Sequence, residues 1–479
     1  MPNPNLLLAI IFVPVLGAFI LPLAGYISSR LRNLLALGLV AVSFLGSVSL
    51  IPQALSQTPL GLSINLSFLN FSFSADALAV FMALVSSLIS LIIVLYSFDY
   101  ISHYQNQNEY YMMVALFLGS MMGIIYSANL IFLYIFWEIT AICSWRLIGF
   151  FRAKNDVLRA DKAFLITFLG AIIMLIGFIM IYQQAGSFDL AVCKGYFKSN
   201  PLPNIAVLLI LAGILSKSAT LPFQTWLPDA GVAPSPVTAL LHAAVLVKIG
   251  VYVYARLFVA TFPIAVIWHS AVPWIAAISA IVSAAAALIE TDLKRVIAYS
   301  TVSQIGFIFF GLSIGNEVGI VGGLLYILMH GLAKAGLFLS AGIVEQNTHT
   351  KDITKLGGLI KTMPVTAVAF LFCAFSVMGM PPFGGFFSKL MVFMGGVQSG
   401  QFLVSFVFLI GAFMTVMYLL RLFRMVFLGE LKIRAQEGSM TMVFSVATLA
   451  FLSLLAGILI IYPANFTQIA VKQMLGLVQ

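Results

Sequence analysis

Residues 203–228, PNIAVLLILAGILSKSATLPFQTWLP, form a long apolar stretch in which Lys217 is the only charged residue. Three more lysines, Lys248, Lys334 and Lys389, lie in later segments that are just as apolar. A charge at the centre of a membrane helix costs about 2.5–3.5 kcal/mol on insertion scales, so each lysine needs a partner, a water-filled cavity or a function. Four ammonium groups at membrane depth indicate that protons move through this chain.

The amino-acid composition indicates that most of this chain is surrounded by membrane lipid and not by water. Of 479 residues, 62% are hydrophobic and 8% are charged, and the mean hydropathy is +1.10. A spanning helix needs ~20 apolar residues, and lipid offers no hydrogen bonds to the backbone, so such runs become helices. We predict an all-α polytopic membrane protein with about fourteen transmembrane helices. These helices are predicted at about 5–27, 33–52, 76–98, 110–127, 129–149, 163–183, 204–223, 236–258, 266–289, 296–314, 318–343, 364–395, 402–424 and 441–462.

Two of these helices are interrupted beside a lysine. Pro222 follows Lys217, and the sequence SVMGMPPFGGFFSKL places two prolines and two glycines before Lys389. Proline removes a helical hydrogen bond, and the freed carbonyls are tolerated at membrane depth only in a protein-lined or hydrated cavity. We therefore predict that helices 7 and 12 are discontinuous and that each break forms a wet pocket beside its lysine.

Breaks in corresponding positions of two halves are typical of inverted-repeat transporters with sites near the midplane. The whole chain, 1–479, is interpreted as one transmembrane domain in which helices 1–3 occupy 1–98. Two inverted five-helix repeats follow at about 110–258 and 266–424, and helix 14 lies at 441–462. The alternative is a pair of proline kinks in unrelated helices.

The distribution of basic residues predicts the orientation. Of the 24 Lys and Arg residues, sixteen fall at odd-numbered connections between the predicted helices, and only Lys194, Lys198, Arg256 and Lys472 fall at even-numbered ones or in the C-terminal tail. Positive charge accumulates in cytoplasmic connections, so both termini are expected on the non-cytoplasmic side of a prokaryotic inner membrane. The N-terminus MPNPNLLLAI has no basic region or cleavage site, so no removable signal peptide is expected.

Several function classes are excluded by what the sequence lacks. The three cysteines, Cys143, Cys193 and Cys373, are isolated, so no metal, iron–sulfur or haem-attachment spacing exists. The chain also has no P-loop and no GxGxxG opening a βαβ unit, and Gly322-Gly323 and Gly357-Gly358 are interpreted as aids to close packing. The basic residues are scattered, which argues against nucleic acid. No cofactor and no metal are expected.

Glu138 is the only clear mid-membrane carboxylate, in NLIFLYIFWEITAICSW. Desolvation lowers the pKa of a lysine toward neutrality, and an approaching carboxylate raises it again. A movable Glu138 would therefore switch Lys217 between proton uptake and release, whereas the alternative is a carboxylate held by one static partner. For Lys248, Lys334 and Lys389 the sequence offers no obvious acid.

Two histidines accompany the later lysines. His330 and Lys334 are four residues apart and share one helical face, as a proton relay requires. His242 precedes Lys248 by a rise of roughly 9 Å, so a hop between them needs a bridging water or side chain. The alternative for each histidine is a packing role.

The remaining ionisable residues are ambiguous. An ammonium group cannot coordinate Na⁺, so protons are favoured over Na⁺ on the main axis. Asp76 is interpreted either as an access point or as an acid that complements a helix dipole. Arg146 is expected to pair with Asp156, with Asp161 or with a neighbouring subunit. Asp292 and Lys294 are expected to form a salt bridge or loop anchor.

Four segments together resemble the signatures of the antiporter-like membrane subunits of respiratory complex I, membrane-bound hydrogenases and multisubunit Na⁺/H⁺ antiporters. They are KSATLPFQTWLPDAGVAPSPVTALLHAAVLVKIGVYVYAR (217–256), TDLKRVIAYSTVSQIGF (291–307), HGLAKAGLFL (330–339) and GMPPFGGFFSK (379–389). The resemblance implies fourteen core helices, two inverted five-helix repeats and proton transfer along a central hydrated axis. The residues it implies for this transfer are Glu138, Lys217, His242, Lys248, His330, Lys334 and Lys389.

Within the family, FWEITAICSW and the short chain look most similar to hydrogenase-4 and formate hydrogenlyase subunits. The expected function is a proton-translocating subunit of a redox complex whose electron chemistry belongs to other chains. Its expected partners are other membrane subunits, including further antiporter-like ones, the lipid bilayer, and protons, with Na⁺ as the alternative ion. Other hypotheses are a cation/proton antiporter complex, an inorganic-carbon uptake complex, and a static scaffold whose lysines pair with adjacent subunits.

Overall fold

The computed structural model describes residues 4–56, 60–66 and 69–477, and it is mostly helical. The helices are α1 (Asn5–Ile27), α2 (Ser29–Leu55), α3 (Ala77–His103), α4 (Gln107–Tyr126), α5 (Leu130–Ile148), α6 (Lys154–Ala185), α7 (Asn204–Lys217), α8 (Ser235–Val259), α9 (Trp268–Ile289), α10 (Leu293–Ser313), α11 (Glu317–Thr348), α12a (Pro364–Met378), α12b (Gly384–Gln398), α13 (Phe402–Phe427), α14 (Met440–Ile458) and α15 (Ile461–Leu475). Short helices also occur at Leu190–Phe197 and Trp226–Asp229.

Twelve of the described helices are long and apolar enough to cross a membrane, and α7 and α12a are shorter apolar helices. The chain is therefore an integral multi-pass membrane protein. The predicted positions agree with the observed helices to within a few residues at most ends; the start of α6 lies nine residues earlier than expected because its first two turns are polar. The exact count of fourteen spans and the two inverted repeats remain predictions. Residues 1–3, part of the sequence behind the signal-peptide expectation, lie outside the described residues.

Burial divides the helices into a centre and a shell. The most apolar windows of α8, α10 and α11 are 100%, 94% and 94% buried, whereas those of α2, α6, α13 and α14 are at most 39% buried. A helix that is apolar all round is stable either inside a protein or against lipid. The three central helices therefore carry the side chains that lipid cannot reach, and these include His242, Lys248, His330 and Lys334.

Small residues allow the central helices to approach closely. A Cβ atom added to Gly322 of α11 would lie 2.7 Å from the backbone nitrogen of Val392 in α12b. One added to Gly323 would lie 3.1 Å from the backbone nitrogen of Leu312 in α10. Packing through small residues is the usual way to join helices in a membrane, where burial from water gives no driving force. The packing role predicted for this glycine pair is confirmed.

The all-α prediction missed one element. Residues Leu60–Leu66 (β1) and Leu69–Ala75 (β2) form an antiparallel hairpin whose register runs from Leu60 opposite Ala75 to Leu66 opposite Leu69. Apolar and polar residues alternate through much of this segment, which is the period of a strand and not of a helix.

The helix α15 was also not predicted. The side chain of Gln473 accepts a hydrogen bond from the backbone N–H of Ala77 at 3.0 Å and donates one to the carbonyl of Ala54 at 3.0 Å. It therefore ties α15 to the end of α2 and to the first turn of α3.

Candidate functional site: four buried lysines

Lys217 ends α7 at a break in the helix. Residues 218–225 are not helical, and Ala219 has a left-handed backbone with φ of 50°. The indole nitrogen of Trp226 donates to the carbonyl of Ser216 at 3.0 Å, and the amide of Thr220 donates to Leu215 at 2.9 Å. The carbonyls freed by the break are thus partly satisfied inside the protein, as a backbone at membrane depth requires. The predicted discontinuity of helix 7 is confirmed.

The fully buried amine of Lys217 points from this break to α5. It donates to the carbonyl oxygen of Trp137 at 3.2 Å, and it lies 5.3 Å from the centre of the Trp137 ring. Its position at the C-terminal end of α7 also places it at the negative end of the helix dipole. A backbone carbonyl, a ring face and a helix end therefore stabilise the ammonium where a carboxylate would be expected.

Glu138 follows Trp137 directly, so the carboxylate starts one residue from the group that holds Lys217. Within the described residues, no ion pair shorter than 4.0 Å joins Glu138 to Lys217, and the buried Oε1 of Glu138 has no hydrogen-bond partner. The two charges are nevertheless close enough to act on each other. This geometry does not show the static ion pair that would hold Glu138 in one place.

Helix 12 is broken in the same manner as helix 7. Residues 379–383 separate α12a from α12b, and Gly379 takes a left-handed backbone with φ of 81°. The amine of Lys389 reaches back across the break and donates to the carbonyl of Val377 at 2.7 Å. It also lies 4.6 Å from the centre of the Phe307 ring. The amine of Lys389 in α12b thus lies at the C-terminal end of α12a, much as that of Lys217 lies at the end of α7. The predicted discontinuity of helix 12 is confirmed.

Lys248 connects α8 to α11. Its buried amine donates to the carbonyl of Ile327 at 2.7 Å, and a Cβ atom added to Gly331 would lie 2.7 Å from this amine. Any larger residue at position 331 would occupy the space on the surface of α11 in which the Lys248 amine lies. The amine therefore contacts α11 next to His330, which is the residue before Gly331.

The amine of Lys334 begins a buried network of polar side chains. It donates to the carbonyl of Ile297 at 3.2 Å and to the hydroxyl of Ser300 at 2.6 Å. The Ser300 hydroxyl is 2.7 Å from that of Tyr418, and the Gln304 amide donates to the same Tyr418 oxygen at 3.4 Å. The network thus leads from α11 through α10 to α13.

From Gln304 the network returns toward Lys389. The hydroxyl of Tyr326 donates to the side-chain oxygen of Gln304 at 2.6 Å, and the Tyr326 ring centre lies 5.4 Å from the Lys389 amine. Ser300, Gln304, Tyr326 and Tyr418 are all fully buried. Sequence reasoning missed these four residues, although a serine and a glutamine one helical turn apart inside an apolar helix were a usable signal.

Both candidate histidines are buried with free ring nitrogens. Neither nitrogen of His242 nor of His330 has a hydrogen-bond partner among the described residues. His242 lies in a π-helical turn, Leu240–Ala244, with its ring centre 4.4 Å from that of Phe338 in α11. His330 lies close enough to Lys248, Lys334, His242 and Lys389 for all four to act on it electrostatically. A buried polar group is usually bonded, so four free nitrogens here need another explanation than packing.

Six of the seven predicted site residues are buried inside the bundle, and the seventh, Glu138, is half-buried on α5. Three of the amines are held by carbonyls of a neighbouring helix, and that of Lys389 by the other half of its own broken helix. As expected from the sequence, no carboxylate among the described residues lies within 4.0 Å of Lys248, Lys334 or Lys389. Their protonation roles and the wet pockets at the breaks remain predictions.

Arg146 is bound differently from what we expected. It pairs with Glu109 of α4, to which its Nε donates at 2.8 Å, and Arg152 also pairs with Glu109 at 2.5 Å. Asp161 instead accepts a hydrogen bond from the indole of Trp145 at 2.8 Å. The expected pairing with Asp156 or Asp161 was wrong because Glu109, distant in sequence, lies beside the end of α5 in the fold.

Asp76 begins α3 as an N-cap. Its Oδ1 accepts from the amide of Ala79 at 2.9 Å, and its carboxylate pairs with Arg256, whose Nη2 lies 2.8 Å from Oδ1. Both the dipole interpretation and a static anchor fit this arrangement. In the ninth connection, Asp292 caps α10 by accepting from the amides of Lys294 and Arg295, and Lys351 lies 3.7 Å away.

Comparison with known proteins identifies the family. The family model described as "NADH:quinone oxidoreductase/Mrp antiporter, TM" matches residues 127–415, more than half of the chain. The one described as "NADH-Ubiquinone oxidoreductase (complex I), chain 5 N-terminus" matches residues 62–111. The first match contains every candidate site residue from Glu138 to Lys389.

Two curated relatives are similar to most of this chain. A Na(+)/H(+) antiporter subunit from Alkalihalophilus pseudofirmus is 34% identical over 81% of this chain and 52% of its own. The chloroplastic NAD(P)H-quinone oxidoreductase subunit 5 of Physcomitrium patens is 33% identical over 77% of this chain and 53% of its own. The chain therefore spans about half the length of these relatives.

Solved structures share the fold over almost the whole chain. A chain of the Mrp complex from Dietzia sp. DQ12-45-1b has a TM-score of 0.90 at 21% identity, covering 98% of this chain and 97% of that one. A chain of the membrane-bound sulfane sulfur reductase, an archaeal respiratory membrane complex, has a TM-score of 0.91 at 23% identity, with 98% coverage of both. A chain of respiratory complex I from Thermus thermophilus has a TM-score of 0.85 at 21% identity, covering 98% of this chain and 100% of that one. This chain is an antiporter-like membrane subunit of the family that contains the NADH:quinone oxidoreductase and Mrp antiporter transmembrane subunits.

Proposed function

We propose that this chain translocates protons as one subunit of a larger membrane-bound redox complex of the complex I or hydrogenase type. The observation that carries the proposal is the placement of four buried amines that have no carboxylate partner within 4.0 Å in the part of the chain that the structure describes, two of them at broken helices. The proposed proton-transfer residues are Glu138, Lys217, His242, Lys248, His330, Lys334 and Lys389.

The chemistry of a lysine held by a carbonyl supports transfer better than that of a lysine in a salt bridge. Breaking a buried ion pair leaves an uncompensated charge and is strongly unfavourable. A carbonyl, in contrast, can accept from a neutral amine as well as from an ammonium, so the amine can lose its proton in place. The hydrogen bonds of Lys217, Lys248, Lys334 and Lys389 to backbone oxygens thus favour groups that change protonation.

Glu138 is proposed as the movable partner of Lys217. A carboxylate that approaches an ammonium stabilises its charge, and one that withdraws favours release of the proton. The carboxylate lies near Lys217 without a direct ion pair, its buried Oε1 has no hydrogen-bond partner among the described residues, and Tyr134 of the same helix is its other polar neighbour. A small shift of α5 against α7 would therefore control the proton on Lys217, and neighbouring subunits would drive that shift.

The second candidate is a subunit of a multisubunit cation/proton antiporter without redox chemistry. Relatives named as Na(+)/H(+) antiporter subunits favour it, as does the likeness to an Mrp complex. Chains that copurify with this subunit distinguish the two: iron–sulfur and NiFe or NADH-oxidising partners support the redox complex, and small antiporter subunits alone support the antiporter. The resemblance to hydrogenase subunits would be decided by the same experiment.

We also propose the orientation, with the odd-numbered connections in the cytoplasm of a prokaryote and both termini outside. Its support is the accumulation of Lys and Arg at those connections, several of which meet around one cavity lined by His103, Phe151, Pro234, His349 and Ser439. Thiol labelling tests it, because the native cysteines are buried. A cysteine introduced at the exposed Lys355 should react only with a reagent applied from the cytoplasm.

The test of the function uses the assembled complex in proteoliposomes with an internal pH indicator. Lys217→Ala and Glu138→Ala should each abolish or severely reduce proton translocation while the complement of subunits is unchanged. Lys355→Ala is the matched control, because the Lys355 side chain is 70% exposed. Translocation at the wild-type rate in both axis variants would eliminate the proposal and leave a static scaffold.

A further inference from the structure

A cavity of about 790 Å³ opens at the end of the bundle where the odd-numbered connections meet. It lies apart from the four axis lysines, and it is lined by both charged and aromatic side chains. Tyr100, Lys294, Glu345, His349 and Lys351 are among its lining residues. A cavity of this volume has room for many water molecules beside the charged side chains that line it.

Two of the lining residues, Lys294 and Glu345, form an ion pair. The amine of Lys294 donates to Glu345 Oε2 at 2.9 Å and to the carbonyl of Ala233 at 2.8 Å. The Lys294 side chain is only 1% exposed, whereas that of Glu345 is 25% exposed. The carboxylate is therefore the member of the pair that solvent reaches, and the salt bridge expected at Lys294 has a partner in α11 and not in its own connection.

Ser235 links this pair to the helix that carries His242 and Lys248. Its hydroxyl donates to Glu345 Oε2 at 3.3 Å, and its amide donates to the hydroxyl of Tyr100 at 3.4 Å. Ser235 is the first residue of α8, and His242 follows seven residues later, about 10 Å along the helix. His242 has two free ring nitrogens, and Lys294 is among the charges that act on it.

The helix packing around Ser235 fixes this arrangement. A Cβ atom added to Gly342 of α11 would lie 2.9 Å from the Ser235 hydroxyl and 2.7 Å from that of Tyr96. The close approach of α11 to α8 at Gly342 therefore brings Glu345 to Ser235. An ion pair that served only to anchor a loop would not need its carboxylate open to a cavity and bonded to the first turn of α8.

From these contacts we propose that Glu345 is a proton-uptake site that supplies the axis at His242. A hydronium ion in the cavity transfers its proton to the Glu345 carboxylate and leaves as water, while the Lys294 amine keeps its hydrogen bond to the carbonyl of Ala233. The proton then passes along the Ser235 end of α8, through water, to a free ring nitrogen of His242, and Glu345 returns to its ionised form beside Lys294. This inference rests on the proposed function of the axis.

The test compares variants of the intact complex in proteoliposomes. Glu345→Gln keeps the size and the acceptor oxygen but cannot take up a proton, so translocation should fall by about a hundred-fold, the lower end of what a positioned proton-transfer group contributes. Glu345→Asp should retain a large part of the rate. If Glu345→Gln translocates as fast as the wild type while Lys217→Ala is inactive, the uptake site is wrong and the axis stands. If both are fully active, the proposed function itself fails.

A second measurement does not depend on assembly of a variant. In the wild-type complex, a water-soluble carbodiimide with an amine nucleophile converts exposed carboxylates to amides, and mass spectrometry gives the modified fraction of each. Translocation should fall in proportion to the modified fraction of Glu345, and not of the exposed Glu430. Full translocation with Glu345 completely modified would overturn the proposal.

Discussion

The amine of Lys217 lies 3.2 Å from the carbonyl oxygen of Trp137, at the peptide group that joins Trp137 to Glu138. Lys217 is thus hydrogen-bonded to the same peptide group of α5 that carries Glu138 as its next residue. A rotation of the Glu138 side chain would change its distance from Lys217 without moving either helix. The pair is built so that a small motion has a large electrostatic effect, because Coulomb energies are strong where water is scarce.

If Glu138 acts through Lys217, the effects of removing them will not add. Glu138→Gln and Lys217→Ala should each slow translocation, and the double variant should be no slower than Lys217→Ala alone. Substitutions of residues that interact directly show such coupling, whereas the rate losses caused by independent substitutions multiply. Initial rates of proton uptake in proteoliposomes measure it, with the exposed Glu430→Gln as the matched carboxylate control. Multiplied losses in the double variant would place the two residues in separate roles.

Gly331 tests the position of Lys248. The added methyl group of Gly331→Ala would lie 2.7 Å from the amine and should displace it from the carbonyl of Ile327, so translocation should fall severalfold or more. The matched control is Gly38→Ala in α2, where an added Cβ meets nothing within 4 Å. Subunit content and melting temperature establish that both variants assemble. An active Gly331→Ala would show that the Lys248 contact is dispensable.

The Tyr418 hydroxyl tests the network between Lys334 and Lys389. Tyr418→Phe removes the hydroxyl that Ser300 contacts at 2.7 Å, while the Gln304 amide keeps its bond to Thr415, and it should destabilise the protein by about 1 kcal/mol. Translocation should also fall, because Ser300 then orients Lys334 less firmly. The exposed Tyr182→Phe should change neither quantity. Loss of stability with an unchanged translocation rate would limit the network to a structural role.

The seventh connection should make stability depend on acid pH. Burial alone would raise the pKa of Asp229, but hydrogen bonds at 2.8 Å from both Lys162 and Arg295, and their charges, lower it below its ordinary value. Since the folded state then binds fewer protons than the unfolded one, this stabilisation is present above about pH 4 and is lost as the pH falls further.

The measurement is the melting temperature between pH 7 and about pH 3. Asp229→Asn should melt lower than the wild type at neutral pH and should show a shallower fall toward acid, with Glu430→Gln unchanged in both. Parallel curves for Asp229→Asn and the wild type would contradict the assignment of this stabilisation to the Asp229 carboxylate.

The helices and their breaks were predictable because membrane depth imposes strong local rules. Long apolar runs must be helical, and prolines placed as in LPF and MPPFGG must interrupt them, so the breaks after α7 and α12a followed from the sequence, although α7 ends at Lys217 and not at the predicted residue 223. The seven axis residues stood out because charged and imidazole groups are rare in such runs. The sequence of a single segment was sufficient for a prediction wherever an ionisable residue or a proline stood inside an apolar stretch.

What could not be predicted depends on contacts between distant segments. Arg146 pairs with Glu109, 37 residues away, and Lys294 pairs with Glu345, 51 residues away. Only the packing of α4 on α5 and of α10 on α11 brings them together. Serine, glutamine and tyrosine side chains in apolar helices were passed over because each is common alone, and their joint placement around Lys334 exists only in three dimensions.

The central claim is that one hydrated path links the amines of Lys217, Lys248, Lys334 and Lys389. A cryo-EM map of the whole assembly at a resolution that shows ordered water tests it most directly. We predict a continuous chain of waters and polar side chains, with every gap within hydrogen-bond distance, from Lys217 past His242 and His330 to Lys389. Amines sealed by apolar contacts, with no water between one and the next, would contradict the account.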